Sequence, residues 1–220
     1  MLSNCILTSV APHNPERTQT RLLDAAEKEF STRGFAGARV ASIARAARTN
    51  QRMVYHYFGS KQGLYRTVFE RRGRKSMDAM LSELSIDSSE EPLMAYRHIL
   101  GVQFDLFARN PTYARMSAHE ALDGFIRGFD PAKDPQTRFL AQTAPFFQKA
   151  LAKKLFRDPA GPFNGMALAS FLGLCFVLYR KRIEDLLQRL GREEADLAAS
   201  YRETVLDTIL HGLLATEFRD

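Results

Sequence analysis

The segment from Ser31 to Phe69 contains no aspartate or glutamate, although 25% of the chain's residues are charged. It consists of short apolar runs at helical spacing, punctuated by Gly34 and Gly59. Its basic residues are Arg33, Arg39, Arg45, Arg48, Arg52, Lys61 and Arg66. A basic, acid-free helical segment suits contact with a polyanion, because a carboxylate that faced a nucleic-acid backbone would be repelled. This segment therefore constrains both the fold and the function.

Charge is unevenly distributed along the 220 residues, whose formal net charge is +6. Residues 1–76 hold 14 Lys and Arg against 5 Asp and Glu, whereas residues 77–220 hold 17 against 20. The asymmetry predicts a basic amino-terminal head that binds a polyanion, joined to a nearly neutral body. The alternative is that the basic pI only aids solubility, but the basic residues cluster where a DNA-binding motif would lie.

Cysteine content and hydrophobicity narrow the class of protein further. The two cysteines, Cys5 and Cys175, form neither a disulfide framework nor a zinc site, so we expect no cofactor and a cytoplasmic location. The first nine residues do not have the pattern of a signal peptide. The longest apolar run, Met166 to Tyr179, has 14 residues. A membrane span needs roughly 20, so this run predicts a buried helix.

Hydrophobic periodicity predicts an all-α fold of about nine helices, and no stretch shows convincing strand alternation. Residues 1–16 are expected to form a flexible arm and residues 17–63 a three-helix DNA-binding domain. Residues 64–220 are expected to form a helical ligand-binding and dimerisation domain.

The breaks in the body set the predicted limits of its last three helices. The seventh helix is expected to end at Phe156, before a Pro- and Gly-rich break, and the eighth to span residues 163–179. A separate, less regular helical segment is expected over residues 180–190. The ninth helix is expected over residues 193–216, where apolar residues recur every four positions.

The head has the pattern of a helix-turn-helix. Residues 48–50 form the turn between two short helices. The Asn50 side chain can cap the second helix by accepting a hydrogen bond from a backbone N–H of its first turn. Gly59 ends that second helix, and Ser60 can cap the helix that follows. Such a motif places its second helix in the major groove of DNA.

The second helix of this motif presents one face suited to reading base edges. Val54 is expected to point inward, and positions i, i+1, i+4 and i+5 share the opposite face. Those positions are Gln51, Arg52, Tyr55 and His56. Arg52 can pair two donors with guanine, and Gln51 can pair with adenine. Lys61 begins the next helix, where free backbone amides already favour a phosphate.

The head resembles that of the tetracycline-repressor-type (TetR) regulators over about residues 18–68. The resemblance is carried, in order and at the family's spacing, by Leu22-Leu23-Asp24-Ala25-Ala26, Phe30, Gly34-Phe35, Ile43-Ala44, Tyr55-His56-Tyr57-Phe58 and Ser60-Lys61. It implies a homodimeric transcription regulator of prokaryotic type, more commonly a repressor. Such a protein binds a near-palindromic operator and is released by a small molecule.

The resemblance also implies roles for individual residues of the head. It implies contacts with bases or nearby backbone for Gln51, Arg52, Tyr55 and His56, and phosphate contacts for Arg39, Tyr57 and Lys61. The chain departs from the family pattern at two places. Arg48-Thr49 stand where the family usually has Gly and a small hydrophobic residue. Ala38-Arg39 stand at the start of the first motif helix, where Thr or Ser is common, so Arg39 cannot cap that helix.

The body is expected to provide a dimer interface and a ligand pocket. Helices 8 and 9 resemble, in position, the pair that forms the family's dimeric four-helix bundle, although both could be buried within one subunit. A pocket is expected among helices 4–8, although aromatic residues at this spacing also occur as plain core. The candidate pocket residues are Phe104, Phe107, Tyr113, Met116, His119, Phe146, Phe147, Cys175 and Tyr179.

Three other classes of protein remain as alternatives. An architectural or ligand-independent DNA-binding protein would have the same head, and a helical interaction protein would have lost DNA binding. The third alternative is a helical enzyme. His119-Glu120 lacks a second histidine four residues after the first, so it is not a zinc-protease motif, and the five histidines are scattered. We therefore expect no enzymatic activity.

Overall fold

A computed structural model describes residues 15–84, 91–124, 135–191 and 196–215. Nine α-helices occupy these residues, which confirms the all-α class. The head comprises α1 (Pro15–Gly37), α2 (Val40–Ala46) and α3 (Gln51–Phe58). The body comprises α4 (Lys61–Glu83), α5 (Pro92–Ala108), α6 (Pro111–Leu122), α7 (Pro135–Ala152), α8 (Gly161–Arg189) and α9 (Leu197–Leu213).

The start of α1 corrects the carboxyl end of the predicted arm. The helix begins at Pro15 and has Glu16 in its first turn. Proline suits this position because the first-turn N–H has no helical partner, and an acid there interacts favourably with the positive helix end. Residues 1–14 of the predicted arm lie outside the described residues. Gly34, with φ 66° and ψ −177°, interrupts the helix where the sequence predicts its end.

The end of α7 differs from the prediction. The helix stops at Ala152 instead of Phe156, because Lys154 adopts a positive φ of 54°. Phe156 then forms an antiparallel bridge with Leu214, just beyond α9. In this bridge the Arg157 N–H donates to the Leu213 carbonyl at 3.1 Å, and the Ala215 N–H donates to the Leu155 carbonyl at 3.0 Å. The predicted limits of the last helix, residues 193 and 216, lie outside the described residues.

Helix α8 is continuous to Arg189, so the prediction that it ends at Tyr179 was wrong. The Arg180 Nε donates to Glu184 Oε1 at 2.7 Å, and this i,i+4 ion pair supports the helix across the predicted break. Gly191, with φ 66°, follows its end. By length and composition α8 could cross a membrane, and 39% of its most apolar 18-residue stretch is buried. That is weak support for a span, since the core helix of a soluble protein passes the same test.

The head is held together by a small aromatic core and by capped helix ends. Phe30 of α1 is fully buried and packs edge-on against Tyr65 of α4, with ring centroids 4.9 Å apart. The Asn50 side chain accepts a hydrogen bond from the Met53 N–H at 3.2 Å, and Ser60 Oγ accepts from the Gly63 N–H at 2.9 Å. Both caps confirm the sequence prediction, and each one fixes the residue at which its own helix begins.

The core of the body is built on close contact between α5 and α8. Gly173 of α8 lies against the Phe104 carbonyl, so close that a Cβ at this glycine would be 2.5 Å from the carbonyl oxygen. Tyr96 of α5 is buried and donates from its hydroxyl to the Pro162 carbonyl at 3.1 Å. Burial raises the pKa of Tyr96. The glycine lets the two backbones approach, so α5 and α8 pack closely along their contact.

The head and the body share α4 and also meet through α6. Helix α1 packs against α6, and a Cβ at Gly34 would lie 2.8 Å from His119 Nδ1. A single hydrophobic cluster runs from Leu22 in α1 to Leu214 beyond α9. A movement of α4 or α6 would therefore change the position of the head.

Candidate nucleic-acid interface and effector site

Helix α3 presents four of the predicted DNA-contacting side chains on one outer face. Its inward position, Val54, is fully buried. On the opposite side all four predicted residues are exposed, and Tyr55 is 50% exposed despite its apolar ring. They are Gln51, Arg52, Tyr55 and His56. The face offers hydrogen-bonding and stacking groups to the outside and buries none of them.

Arg39 stands at the start of α2 in an extended conformation, with φ −116° and ψ 123°. Its side chain is exposed and forms no cap hydrogen bond, as the sequence predicts. The backbone N–H of Arg39 donates to Glu29 Oε1 at 3.2 Å, so α1 supplies the acceptor that the Glu or Gln of a capping box offers to the N-cap N–H. The guanidinium is thereby left available at the surface.

Tyr57 and Lys61 are half-buried, in contrast to the face of α3. The Tyr57 ring packs edge-on against His56, with centroids 5.1 Å apart. The Lys61 ammonium lies over the Phe35 ring, 4.7 Å from its centroid. Burial lowers the pKa of Lys61, and the negative charge of Glu29 opposes this shift. Both side chains therefore help to hold the head together as well as lining its surface.

The cations of the head have few acidic partners. In the described residues Arg33 pairs with Glu29 at 3.5 Å, whereas five other arginines of the acid-free segment make no ion pair. All five are exposed: Arg39, Arg45, Arg48, Arg52 and Arg66. Arg45, Arg48 and Arg66 are not among the predicted DNA contacts, although the absence of nearby acids in the sequence was a signal for them. These charges remain available to a polyanion.

The predicted pocket residues fall into separate places in the body. Phe107 stacks on Tyr113 with centroids 5.6 Å apart, and Phe104 packs near Phe176 at 6.0 Å. Tyr179 is 61% exposed on α8. The other candidate residues differ in exposure: Met116, Phe146 and Phe147 are buried, whereas His119 and Cys175 are partly exposed. Burial raises the pKa of the Cys175 thiol. Their role as a pocket stays a prediction.

A cleft of about 180 Å³ opens between α4 and α5, and none of the nine predicted pocket residues lines it. Its lining residues are Ser76, Ala79, Met80, Glu83, Val102, Asp105, Leu106, Arg109 and Asn110. Ser76 is 2% exposed, and its hydroxyl has no hydrogen-bond partner among the described residues. The lining residues recur at helical spacing on each helix, but they mix small, apolar and charged side chains, so no run of one residue type marks the cleft in the sequence.

Charged groups of the cleft link α4 to α5. Arg109 Nη1 contacts Glu83 Oε2 at 3.0 Å, and Arg109 Nη2 contacts Asp105 Oδ2 at 2.9 Å. Burial raises the pKa of Asp105, while Arg202 and Arg109 lower it and Glu83 raises it further. The cleft therefore combines apolar walls with a polar end, as small-molecule sites do, and its volume is smaller than the roughly 300–1,000 Å³ of typical ligand pockets.

A helix-turn-helix whose exposed arginines lack acidic partners, carried on a helical body, defines the class of DNA-binding transcription regulators. Residues 22–68 match the family described as bacterial regulatory proteins, tetR family. The chain is 33% identical over 213 residues to the HTH-type transcriptional repressor NicS of Pseudomonas putida, covering 94% of this chain and 97% of that protein. The chain belongs to the tetR family.

Two further comparisons cover a third of the chain and the whole fold. The HTH-type transcriptional repressor SCO4008 of Streptomyces coelicolor is 41% identical over 73 residues, which are 33% of this chain and 36% of that protein. The crystal structure of SCO4942 from Streptomyces coelicolor superposes with a TM-score of 0.63 at 24% identity, over 89% of this chain and 98% of that one. This second likeness concerns the fold.

Proposed function

We propose that this regulator represses transcription by binding a near-palindromic operator as a homodimer, with one α3 in each of two successive major grooves. The observation that carries the proposal is the exposed face of α3 within the acid-free segment. In this arrangement Gln51 and Arg52 read base edges, and Tyr55 and His56 contact bases or nearby backbone. The proposed phosphate contacts are Arg39, Tyr57 and Lys61.

The experiment that tests this function is selection of bound fragments from genomic DNA by the purified full-length protein, followed by sequencing. We expect recovery of a palindrome whose half-sites lie about one helical turn apart, or a multiple of it, because a two-fold dimer presents two reading helices. Recovery of fragments without a common sequence would favour the architectural alternative.

The outer face of α8 supports a subunit contact. Leu168, Phe171, Cys175 and Leu178 recur at three- and four-residue spacing, and Phe171 is 60% exposed. A contiguous exposed apolar face of this kind marks an interaction site. A second copy of the chain is the partner that an operator palindrome requires.

Helix α9 contributes differently from what its sequence suggests. Its apolar stripe packs inside the subunit, with Val205 and Ile209 both at most 5% exposed, so the stripe itself is not free for a partner. The outward face carries Thr204, Thr208 and Gly212, whose small size lets another helix approach.

Phe171→Glu, on the exposed face of α8, is expected to convert the dimer to a monomer in sedimentation analysis. An unchanged dimer would move the subunit contact elsewhere.

The cleft between α4 and α5 is the proposed effector site. Its volume of about 180 Å³ suits a compound with a single ring, since a cavity of about 150 Å³ holds benzene. Such a ring would lie against Met80 and Leu106, beside the ion pairs of Arg109. A ligand that favours a different α4–α5 spacing would weaken operator binding by the difference in its affinity for the two states, and by no more.

A panel of single-ring acids, amines and phenols tests this site through two readouts, thermal stability and operator affinity. We expect at least one compound to raise the thermal stability of the wild-type protein and to lower its operator affinity. The same compound is expected to have neither effect on the Ala79→Met variant. Ala79 is exposed at the cleft, so the longer side chain is expected to fill the cleft without disturbing the core. Because the relatives are named repressors, we propose regulation, in the cytoplasm, with no catalytic step.

A further inference from the structure

Two residues other than glycine have a positive φ in the described part of the chain, and both are cationic. They are Arg48, between α2 and α3, and Lys154, after α7, each with φ 54°. A side chain in this left-handed region is unfavourable, and glycine is the residue that occupies it without that cost. Strained backbone positions of this kind occur often at functional sites, so the side chains of both residues are candidates for a function.

Both residues stand in the same helix-ending motif. After α2, the Arg48 N–H donates to the Arg45 carbonyl and the Thr49 N–H donates to the Ala44 carbonyl, each at 3.0 Å. This crossed pair of bonds is the Schellman motif, and Arg48 occupies the position in which glycine is most common. The positive φ of this turn therefore favours glycine, but the residue is an arginine.

The motif after α7 repeats this geometry in the body. The Lys154 N–H donates to the Leu151 carbonyl at 3.0 Å, and the Leu155 N–H donates to the Ala150 carbonyl at 3.1 Å. Lys154 is exposed, as Arg48 is. A cation next to a helix carboxyl end also interacts favourably with the helix dipole, and this benefit is available to both residues. The two positions therefore match in strain, charge and exposure, and differ in location.

Arg48 lies three residues before Gln51, the first residue of α3. Three consecutive Cα spacings of 3.8 Å place the two Cα atoms at most about 11 Å apart. When α3 occupies a major groove about 12 Å wide, a long exposed side chain at this distance can reach the phosphates that flank the groove. Arg48 makes no ion pair in the described residues, so its guanidinium has no competing partner within the head.

We propose that Arg48 is a further DNA-backbone contact, which binds a phosphate beside the major groove and so positions α3. The inference rests on the proposed operator binding by the head. Phosphate contacts fix the register of a protein on the duplex without reading sequence, so Arg48 acts on affinity and its salt dependence and leaves base preference unchanged.

The test compares wild-type protein with Arg48→Gly, Arg48→Lys and Lys154→Gly, each as the full chain. Operator affinity is measured on the duplex recovered by genomic selection, across a series of salt concentrations, and unfolding is followed in urea. Both glycine variants are expected to unfold at higher urea concentration, because each relieves the same strained φ. Arg48→Gly alone is expected to weaken operator binding.

The salt dependence separates a phosphate contact from a general loss of affinity. For Arg48→Gly, the slope of log K against log salt is expected to become shallower by about 0.9 per subunit. Lys154→Gly is expected to keep the wild-type slope. Arg48→Lys is expected to keep it as well, because lysine still binds phosphate as a point charge.

An unchanged slope in Arg48→Gly would overturn the proposal, and so would an equal loss of affinity in Lys154→Gly. Failure of the underlying function has a different signature, since wild-type protein would then select no common sequence and Arg52→Ala would change nothing. A stabilised Arg48→Gly with wild-type binding would show that the strained arginine has no role on DNA.

Discussion

The acid-free segment, which includes most of the head and the first turns of α4, differs from the rest of the described chain in how its arginines are paired. In this segment, five exposed arginines make no ion pair in the described residues. Outside that segment, seven arginines are paired with carboxylates on their own or on neighbouring helices: Arg71, Arg72, Arg97, Arg109, Arg138, Arg180 and Arg202. Like charges held close together repel, so their retention in the head indicates an external partner of opposite charge.

Packing differs between the two regions as well. In the body, α5 and α8 meet backbone to backbone at Gly173, and Arg202 lies over Gly101 to reach Asp105 at 3.4 Å. In the head, short helices are held by a few aromatic residues and two side-chain caps. We infer that rigidity is concentrated in the α5–α8 unit and that the head is a smaller element whose position follows α4 and α6.

The largest expected effect on stability is in the body. Gly173→Ala would place a methyl group 2.5 Å from the Phe104 carbonyl oxygen, a backbone atom that cannot rotate away. Separation of α5 from α8 is expected to lower the free energy of unfolding by about 3 kcal/mol, measured by urea denaturation. The matched control is Gly37→Ala, at an exposed glycine of α1 whose added Cβ would come no closer than 3.4 Å to the Arg33 Cβ, and this variant is expected to keep the free energy of unfolding nearly unchanged. Equal stability of the two variants would refute the close α5–α8 packing.

Arg52→Ala is expected to act on recognition with little effect on folding, because the side chain is exposed and makes no ion pair in the described residues. Loss of a two-donor contact with guanine is expected to cost about 1–3 kcal/mol of discrimination at one position in each half-site. Binding to a set of operators with single base changes measures this loss. If the variant keeps full preference at every position, Arg52 does not read a base.

The two caps allow the head and the body to be compared directly. Asn50 caps α3 in the head, and Asp196 caps α9 in the body, where its Oδ1 accepts from the Ala199 N–H at 3.0 Å. Alanine at either position is expected to cost about 1 kcal/mol of stability. Asn50→Ala is also expected to weaken operator binding, whereas Asp196→Ala is expected to leave it intact. Equal effects on DNA binding would contradict the separation of roles.

The smallest effects come from removing single charges. Arg97 bridges α5 to Glu203 and Asp207 of α9, but the pair is largely exposed, so Arg97→Gln is expected to cost at most about 1 kcal/mol. It is expected to leave the salt dependence of DNA binding unchanged. Arg39→Gln, in contrast, is expected to make that slope shallower by about 0.9 per subunit while stability stays nearly constant. If Arg39→Gln instead lowered stability and left the salt dependence unchanged, the unpaired arginines would stabilise the fold and would not contact DNA.

The sequence is most informative where structure depends on local chemistry. The caps at Asn50 and Ser60, the break at Gly34 and the inward position of Val54 depend on residues within one or two helical turns, and all four are as predicted. The exposed face of α3 follows from the same local periodicity. The fold class and the likeness to the tetR family could therefore be obtained before any coordinates.

The sequence is less informative where distant segments decide. The end of α7 depends on the pairing of Phe156 with Leu214, and neighbours in sequence do not indicate that contact. The apolar stripe of α9 is real, but its partner is the subunit's own core. Aromatic content suggested a pocket, whereas the cleft is lined by residues such as Ser76, which become neighbours only when α4 and α5 pack together.

The most direct test of the comparison between head and body is the salt dependence of operator binding by the wild-type protein. If the unpaired cations of the head neutralise phosphates, Arg39 and Lys61 in two subunits give at least four contacts, and the slope of log K against log salt is expected to be about −4 or steeper. A slope near zero on the selected operator would contradict the account, because binding would then not depend on the charges that the head leaves unpaired.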